Sequence, residues 1–313
     1  MIEFRQLKYF VKIVEAGSLT RASALLHIAQ PALSQQMADF ERSVGVPLLL
    51  RSVKGVTPTV AGQAVYRHAQ MMLHMREQTI DVARGAAHQI SGRVRLGLPS
   101  SIAMILAAPL VAFLRKKHPE ILLELYESPS AYLAAQLFDE RVDLSLLVDQ
   151  IQAPGLSVEP LLDETVYFVQ ANSSKRPTQR QSVQLTDLSN TPMIFTTRAT
   201  TLRQILDSAC DVAKVQINVQ AEASSIQTLL TVVAQGELAT LVPYSALSWM
   251  PTTRALRLLP LKPHVTRTLS MASSRSANTS AAVNAVRQTI QEVAASLVNK
   301  GVWLGATLHQ APV

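Results

Sequence analysis

The chain has 313 residues, of which 48% are hydrophobic, enough for two or three domains with their own cores and too many for a disordered chain. Its net charge is +7, and the positive excess is denser in residues 1–90 (+4) than over the rest (+3), as binding to a phosphate backbone requires. A single cysteine, Cys210, excludes an internal disulfide framework; no run approaches the ~20 apolar residues that span a bilayer; and Glu3 and Arg5 stand where a signal peptide would be basic and then apolar, so a cytoplasmic protein with no membrane partner is expected.

Leu7, Phe10, Val11 and Val14 recur at helical spacing and predict a first amphipathic helix, broken by Gly17-Ser18. Ser18 can cap a second helix, in which Ala22 is small enough for a close helix crossing. A third helix is expected to start near Gln30, with Pro31 at the first helical position, where its missing N–H is no loss. Leu33, Met37, Phe40 and Val44 form its apolar stripe, and Pro31, Ser34, Gln35, Ala38 and Arg42 the opposite face. Two short helices joined by a tight turn, the second opening in short neutral hydrogen-bonders, make a helix-turn-helix, which places one helix in the major groove of DNA. Gln pairs with adenine through N6 and N7. A helical hairpin in any small bundle could show the same polar face, so the next segment carries weight.

That segment runs from Leu48-Leu49-Leu50-Arg51 through Ser52-Val53-Lys54-Gly55 to Val56-Thr57-Pro58. Two apolar runs around a basic, glycine-containing turn read as a small hairpin or wing, with Arg51 and Lys54 where a phosphate or minor groove would lie. Thr59 then reads as the N-cap of a long helix to about His88. Ala61, Val65, His68, Met72, Met75, Thr79, Val82 and Ala86 alternate by four and three, the seam of a two-stranded coil with His and Thr interruptions. Packing on its own domain would also produce such a helix; dimerisation is preferred because two heads on one coil match a two-fold DNA site.

After Ser91-Gly92 the texture changes. Val94, Leu96 and Leu98 alternate like a strand, and Pro99-Ser100-Ser101 opens a helix ending at Lys116-Lys117-His118-Pro119. A strand from Ile121 to Tyr126, a helix from about Tyr132 to Glu140 and a strand from Asp143 to Val148 follow. A second set comprises strands at Glu164 to Val169, Met193 to Phe195, Val215 to Val219 and Leu238 to Val242, with helices from Thr201 to about Ala213 and from Ser225 to Gln235. Near Val265 the pattern is ready to return to the first lobe, with a strand from Thr268 to Ala272 and a closing helix from Ala281 to Leu297. The alternation predicts an α/β domain, and two lobes joined by two crossovers make a cleft. Residues from Lys300 onward show no clear pattern.

The segments Leu7-Lys8-Tyr9-Phe10, Gly17-Ser18-Leu19-Thr20, Ala22 to Leu26, Ala29-Gln30-Pro31-Ala32-Leu33-Ser34-Gln35-Gln36, Leu48 to Arg51 and Gly55 to Gly62 together closely resemble the LysR-type transcriptional regulators. The run from His27 to Gln36 looks most like that family's nitrogen assimilation control subgroup. The resemblance covers roughly residues 1–298. It implies an α/β fold with an N-terminal winged helix-turn-helix (1–58), a long dimerising linker helix (59–90) and a two-lobed, periplasmic-binding-protein-like effector domain (91–298), with lobe I from 91–162 and 267–298 and lobe II from 163–266. A tail occupies 299–313.

On this reading the DNA contacts are Ser18, Thr20, Gln30, Pro31, Ser34, Gln35, Arg51 and Lys54, and the dimer seam is Val65, Met72, Met75 and Val82. Hydroxyls at strand-to-helix turns (Ser100, Ser101, Ser128, Ser130, Thr196, Thr197, Thr200 and Thr201) suit a small anion or polar metabolite, because helix N-termini there offer free N–H groups. Such residues are also ordinary caps. The resemblance tips Ser100, Ser101, Thr196 and Thr197 towards pocket residues, and Val148 matches a cleft position without offering a hydrogen bond. Arg198 and Arg203 could balance an anion. The family's Gly-x-Gly before the second-lobe hinge is here Gly236-Glu237-Leu238, which lacks the second glycine.

The expected function is sequence-specific transcriptional regulation at an inverted-repeat promoter site, as a dimer of dimers modulated by a small metabolite. The partners are double-stranded DNA, further copies of the chain and RNA polymerase. An effector-independent regulator whose C-terminal domain only assembles the oligomer is the alternative; a nucleoid-style DNA-bridging protein, and a solute-binding protein or enzyme fused to a helical head, are weaker ones. No Gly-x-Ser-x-Gly, P-loop or Gly-x-Gly-x-x-Gly occurs, the histidines lack metal-ligand spacing, and Cys210 has no local base, so no enzyme activity, cofactor or metal is expected.

Overall fold

The structure is a computed structural model that describes residues 2–52, 55–85, 90–149, 155–172, 181–248, 255–275 and 280–309. It divides into two compact units, one built on Met1–Ala87 and the other on His88–Phe138 and Val142–Val313.

The first unit holds α1 (Phe4–Ala16), α2 (Leu19–Leu26), α3 (Gln30–Val44), β1 (Leu49–Ser52), β2 (Gly55–Pro58) and α4 (Val60–Gly85). Gly17 ends α1 in the left-handed region (φ 62°), its N–H bonding to the carbonyl of Ile13. Ser18 Oγ then accepts from Arg21 N at 3.4 Å and caps α2. Leu7, Phe10, Ile13, Leu33, Met37, Phe40 and Leu48 form the core with Tyr66 and Ala69 of α4, and the rings of Phe10 and Phe40 lie 5.7 Å apart. β1 and β2 pair antiparallel from Leu49↔Pro58 to Ser52↔Gly55. Thr59 Oγ1 accepts from Gly62 N and donates to the Pro47 carbonyl, both at 2.9 Å, so one hydroxyl caps α4 and ties it to the approach to the wing. A Cβ at residue 62 would lie 1.9 Å from the Leu48 carbonyl oxygen, which explains the glycine there.

The second unit runs β3 (Gly92–Leu98), α5 (Ser100–Lys117), β4 (Ile121–Glu127), α6 (Ser130–Phe138), β5 (Leu144–Val148), β6 (Leu156–Ala171), β7 (Val183–Gln184), β8 (Met193–Thr196), α7 (Thr201–Ala213), β9 (Val219–Ala223), α8 (Ile226–Ala234), β10 (Thr240–Pro243), β11 (Leu256–Lys262), β12 (Thr266–Ser274), α9 (Ala281–Asn299) and β13 (Ala306–Leu308). Two large hydrophobic cores make it two-lobed, and a smaller cluster packs α6 (Leu133, Ala134 and Leu137) against Leu147, Leu156 and Ala272. One draws on residues between Val94 and Leu162, between Leu269 and Ala294, and on Trp303; the other lies between Val166 and Val265. β6 serves both lobes: its first half pairs with β12, and residues 166–171 pair with β10 and β11. Parallel β8 and β9 extend the second lobe, linked to the residue before β10 by the bridge Met193↔Ala239. The chain thus crosses between the lobes along β6 and again at Val265 to Arg267.

Three local expectations shift. The strand expected over Val215 to Val219 is β9, four residues later, because Lys214 adopts the left-handed conformation and Val215 N bonds back to the Cys210 carbonyl, extending the cap of α7. The strand expected from Glu164 begins at Leu156. Beyond Lys300, where no pattern was legible, Trp303 is buried in the first-lobe core and β13 pairs with β6 from Ala306↔Glu164 to Leu308↔Leu162.

Candidate functional sites

On α3, Gln30, Pro31 and Gln35 are exposed and Ser34 is half-buried; Thr20 of α2 is exposed. The wing is held against α3 by two ties. Glu41 Oε1 accepts from the backbone N–H groups of Leu48 and Leu49 at 2.7 and 3.0 Å. Arg51 Nη1 donates to Ser34 Oγ at 3.0 Å. The first tie escaped the sequence reading because it spans a loop; the second joins two residues already singled out. Gln35 Nε2 donates to Asp39 Oδ1 at 3.0 Å, and Arg42 Nη1 donates to the same oxygen at 2.9 Å. Asp39 thus orients the exposed end of Gln35, and the i, i+4 spacing is the signal that would have found it. Ser18 spends its hydroxyl on capping α2. Lys54 lies outside the described residues.

On α4 two faces separate. Tyr66 and Ala69 are buried in the head core, and Val65 packs partly against it. Met72 and Met75 are 46% and 58% exposed, and His68 and Thr79 are exposed with them. The expected seam is therefore open at its methionines and partly covered at Val65. The Val82 side chain lies outside the described residues.

Between the lobes of the second unit lies a cleft of about 120 Å³, lined by Ser100, Ser101, Ser128, Ser130 and Val148 from one lobe, by Thr196, Thr200, Thr201 and Ser224 from the other, and by Arg267 at the crossing. Thr197 is not among its lining residues. The lining includes the first residues of α5, α6, α7 and α8, whose leading N–H groups have no intrahelical partner. Several hydroxyls already have partners. Ser130 Oγ accepts from Val148 N at 2.9 Å, Thr196 Oγ1 accepts from Thr200 Oγ1 at 2.8 Å, and Ser101 Oγ accepts from Arg267 Nη2 at 2.9 Å.

Arg267 and its partner Glu164 were not expected at the cleft. They are 4% and 1% exposed and face each other across the β6/β12 register. Arg267 donates to Glu164 Oε2 from Nε at 2.9 Å and from Nη2 at 2.6 Å, and Trp303 Nε1 donates to the other oxygen at 2.6 Å. Only tertiary pairing joins these distant positions. The Asp149 carboxyl, next to Val148, has its pKa raised by burial, against the opposing pull of the Thr268 backbone and Arg267.

Arg198 and Arg203 do not serve this cleft. They line a separate open cavity on the second lobe, of about 820 Å³, with Cys210. Arg203 is balanced there already: it donates to Asp207 at 2.7 Å, Glu222 at 2.6 Å and the Thr196 carbonyl at 3.2 Å, and lies over the Phe195 ring. Burial, then Asp207 and Asp211, pushes the Cys210 thiol up to about 11, so it is protonated at neutral pH.

Residues 4–63 match the family described as bacterial regulatory helix-turn-helix protein, lysR family, and residues 87–295 match the LysR substrate binding domain. The nitrogen assimilation regulatory protein nac of Escherichia coli (strain K12) is 32% identical over 312 residues, covering 96% of this chain and 99% of that one. Its namesake from Klebsiella aerogenes is 36% identical over 246 residues, covering 78% and 79%. Among solved structures, a variant of full-length OxyR from Pseudomonas aeruginosa superposes with a TM-score of 0.73 at 22% identity, covering 99% of both chains. Full-length CbnR, solved in complex with its target DNA, superposes with a TM-score of 0.71 at 18% identity, covering 93% of this chain and 100% of that one.

Proposed function

Because the chain belongs to the LysR family, and is therefore a DNA-binding transcriptional regulator rather than an enzyme, we propose that it reads an inverted-repeat promoter site as a dimer of dimers and that a small anionic metabolite in the interlobe cleft modulates it. The observation that carries the DNA half is the docking of Arg51 on Ser34, which puts a cation of the wing beside the exposed Gln30, Pro31 and Gln35 of the helix. Helix side chains would read base edges while the wing's cations, Arg51 and Lys54, hold phosphates.

Self-assembly is supported by the exposed methionines of α4 and by β4, which ends the sheet order β4-β3-β5-β12-β6 and where Leu122, Leu125 and Tyr126 stand exposed. Residues 1–58 would be the DNA-binding domain, 59–90 the dimerising linker and 91–298 the sensor. We assign the protein to the cytoplasm, where its promoter DNA and RNA polymerase are; among the described residues no helix is long and apolar enough to cross a membrane. The names of the nac relatives make nitrogen-assimilation promoters the first to test. Genome-wide mapping of bound sites, with competition between a recovered fragment and bulk DNA, is the experiment. Equal affinity for both would leave a DNA-bridging protein instead.

A second reading keeps the DNA function and drops the ligand. It is favoured by the internal satisfaction of Ser101, Ser130 and Thr196. A metabolite-library thermal-shift screen separates the two, since a ligand at 100 times its Kd adds roughly 2.7 kcal/mol of stability.

A further inference from the structure

The guanidinium of Arg267 is unevenly used. Nη2 has three acceptors for its two protons: Glu164 Oε2, Ser101 Oγ at 2.9 Å and Ser245 Oγ at 3.2 Å. Nη1 has no hydrogen-bond partner among the described residues, although the side chain is 97% buried and lines the cleft. Arg267 lines the cleft, and a guanidinium nitrogen there with unclaimed protons can donate to a ligand acceptor. Ser101 belongs to the first lobe and Ser245 to the turn after β10 in the second, so the same nitrogen that bridges the lobes sits beside the unclaimed one.

Behind the pair stands a strap, residues 300–309, which follows α9 and carries Trp303 and β13. Glu164 is central in a three-strand strip, opposite Arg267 on β12 and Ala306 on β13. Its two oxygens are divided, one to Arg267 and one to the Trp303 indole. The strap is pinned again one residue earlier: Asp163 Oδ1 accepts from Thr268 Oγ1 at 2.7 Å and lies 3.1 Å from His309 Nε2.

Resting on the reading of the cleft as an effector site, we propose that the strap is part of the sensor: Trp303 fixes Glu164, Glu164 fixes Arg267, and Arg267 gives its free Nη1 to a small carboxylate or oxyanion. The buried pair is neutral as a whole, and Asp149, which also feels Arg267, stands beside it with its pKa raised by burial, so the ligand's charge is met by Nη1 and by the N-terminal amides of the surrounding helices. When an acceptor draws on Arg267, its bonds to Glu164, Ser101 and Ser245 redistribute. The lobe-to-lobe contact and the Trp303 indole then change together. Trp303 is in this scheme a positioning residue, acting through Glu164.

The test uses the full chain with Trp249→Phe, which leaves Trp303 as the single tryptophan. It is titrated with sodium acetate, sulfate or succinate at ionic strength held constant with sodium chloride, following Trp303 emission and Tm together. The expected result is that at least one anion raises Tm and changes the emission saturably. Trp303→Phe, made with Trp249 retained, should keep DNA binding and weaken that anion about tenfold, the loss of one hydrogen bond to a charged group. Arg267→Gln alone would strand a buried carboxylate, so the neutral pair Arg267→Gln/Glu164→Gln is used; it should fold and lose the response. An anion that raises Tm while leaving the emission unchanged and binding Trp303→Phe equally well would overturn the strap's role and leave the cleft reading standing. An unchanged response in the neutral pair would overturn the role of Arg267. Were no anion to raise Tm, the assignment of the ligand class would fall, and DNA binding in the same samples would show the regulator intact.

Discussion

Arg51 donates to the Ser34 hydroxyl at 3.0 Å across seventeen residues of sequence, so wing and helix hold each other before any DNA arrives. A phosphate would compete with a neutral hydroxyl for Arg51, and a charge-assisted bond is the stronger. Gln35 differs: one hydrogen of its amide nitrogen already bonds the Asp39 carboxylate, which orients the group and leaves the second N–H and Oε1 for a bidentate contact to adenine.

The two residues should therefore fail differently on substitution. Arg51→Ala is expected to weaken specific and non-specific binding alike and to reduce the salt slope by about one. Gln35→Ala should lower discrimination between the native site and a mismatched one by roughly 1–3 kcal/mol. Affinities measured on both sequences across a salt series decide the matter; an equal loss on every sequence for Gln35→Ala rules out base reading.

Met72 is the most direct probe of the linker. A carboxylate there would face its own copy across a two-fold seam, leaving unpaired charge among apolar side chains. Met72→Glu should weaken dimerisation and cut affinity for the full inverted repeat more than for a half-site. Unchanged assembly in analytical ultracentrifugation would remove α4 as the dimer contact. Because Met72 is 46% exposed in the single chain, the fold of the head should survive, and circular dichroism controls for that.

Gly62 tests how the head is built. Adding a Cβ brings it to 1.9 Å from the Leu48 carbonyl oxygen and 3.2 Å from Pro58 Cβ, and the Leu48 backbone leaves little room to give. Gly62→Ala should destabilise the protein by about 1–3 kcal/mol, as overpacking does, despite alanine's better helix propensity. A melting temperature equal to or above wild type contradicts the close approach.

Cys210 supplies a pH prediction. Its thiol pKa is raised from 9.0 to about 11 in the folded chain, chiefly by burial. The protonated form is thus favoured on folding, and this contribution to stability is full below the unfolded pKa and lost as pH rises towards 11. At pH 8 a two-unit shift leaves roughly a hundredth of the thiolate present in the unfolded chain, so iodoacetamide should label native Cys210 at least about 100-fold more slowly than denatured protein. Equal rates would mean the thiol is neither buried nor shifted.

The head was legible because its determinants are local. Leu7, Phe10, Leu33, Met37 and Phe40 repeat at helical spacing, Gly17-Ser18 ends one helix and caps the next, and Thr59 starts α4 as its residue type predicts. Hydroxyls at strand-to-helix turns were legible too, since a helix N-terminus announces itself in a few residues; Ser100, Ser101, Ser128, Ser130 and Thr196 do line the cleft. Tertiary structure alone decided the electrostatics of that cleft. Arg203 and Arg267 look alike in sequence, yet α7 turns the first towards Asp207 and Glu222, while the β6/β12 register sets the second against Glu164. Trp303 is the same case. Nothing periodic surrounds it, and its place in the core follows from β13 pairing with a strand well over a hundred residues earlier. Periodicity reports which face of an element is buried, whereas the partner of a buried charge depends on which distant strand lies alongside, and that is set by the packing of the whole lobe.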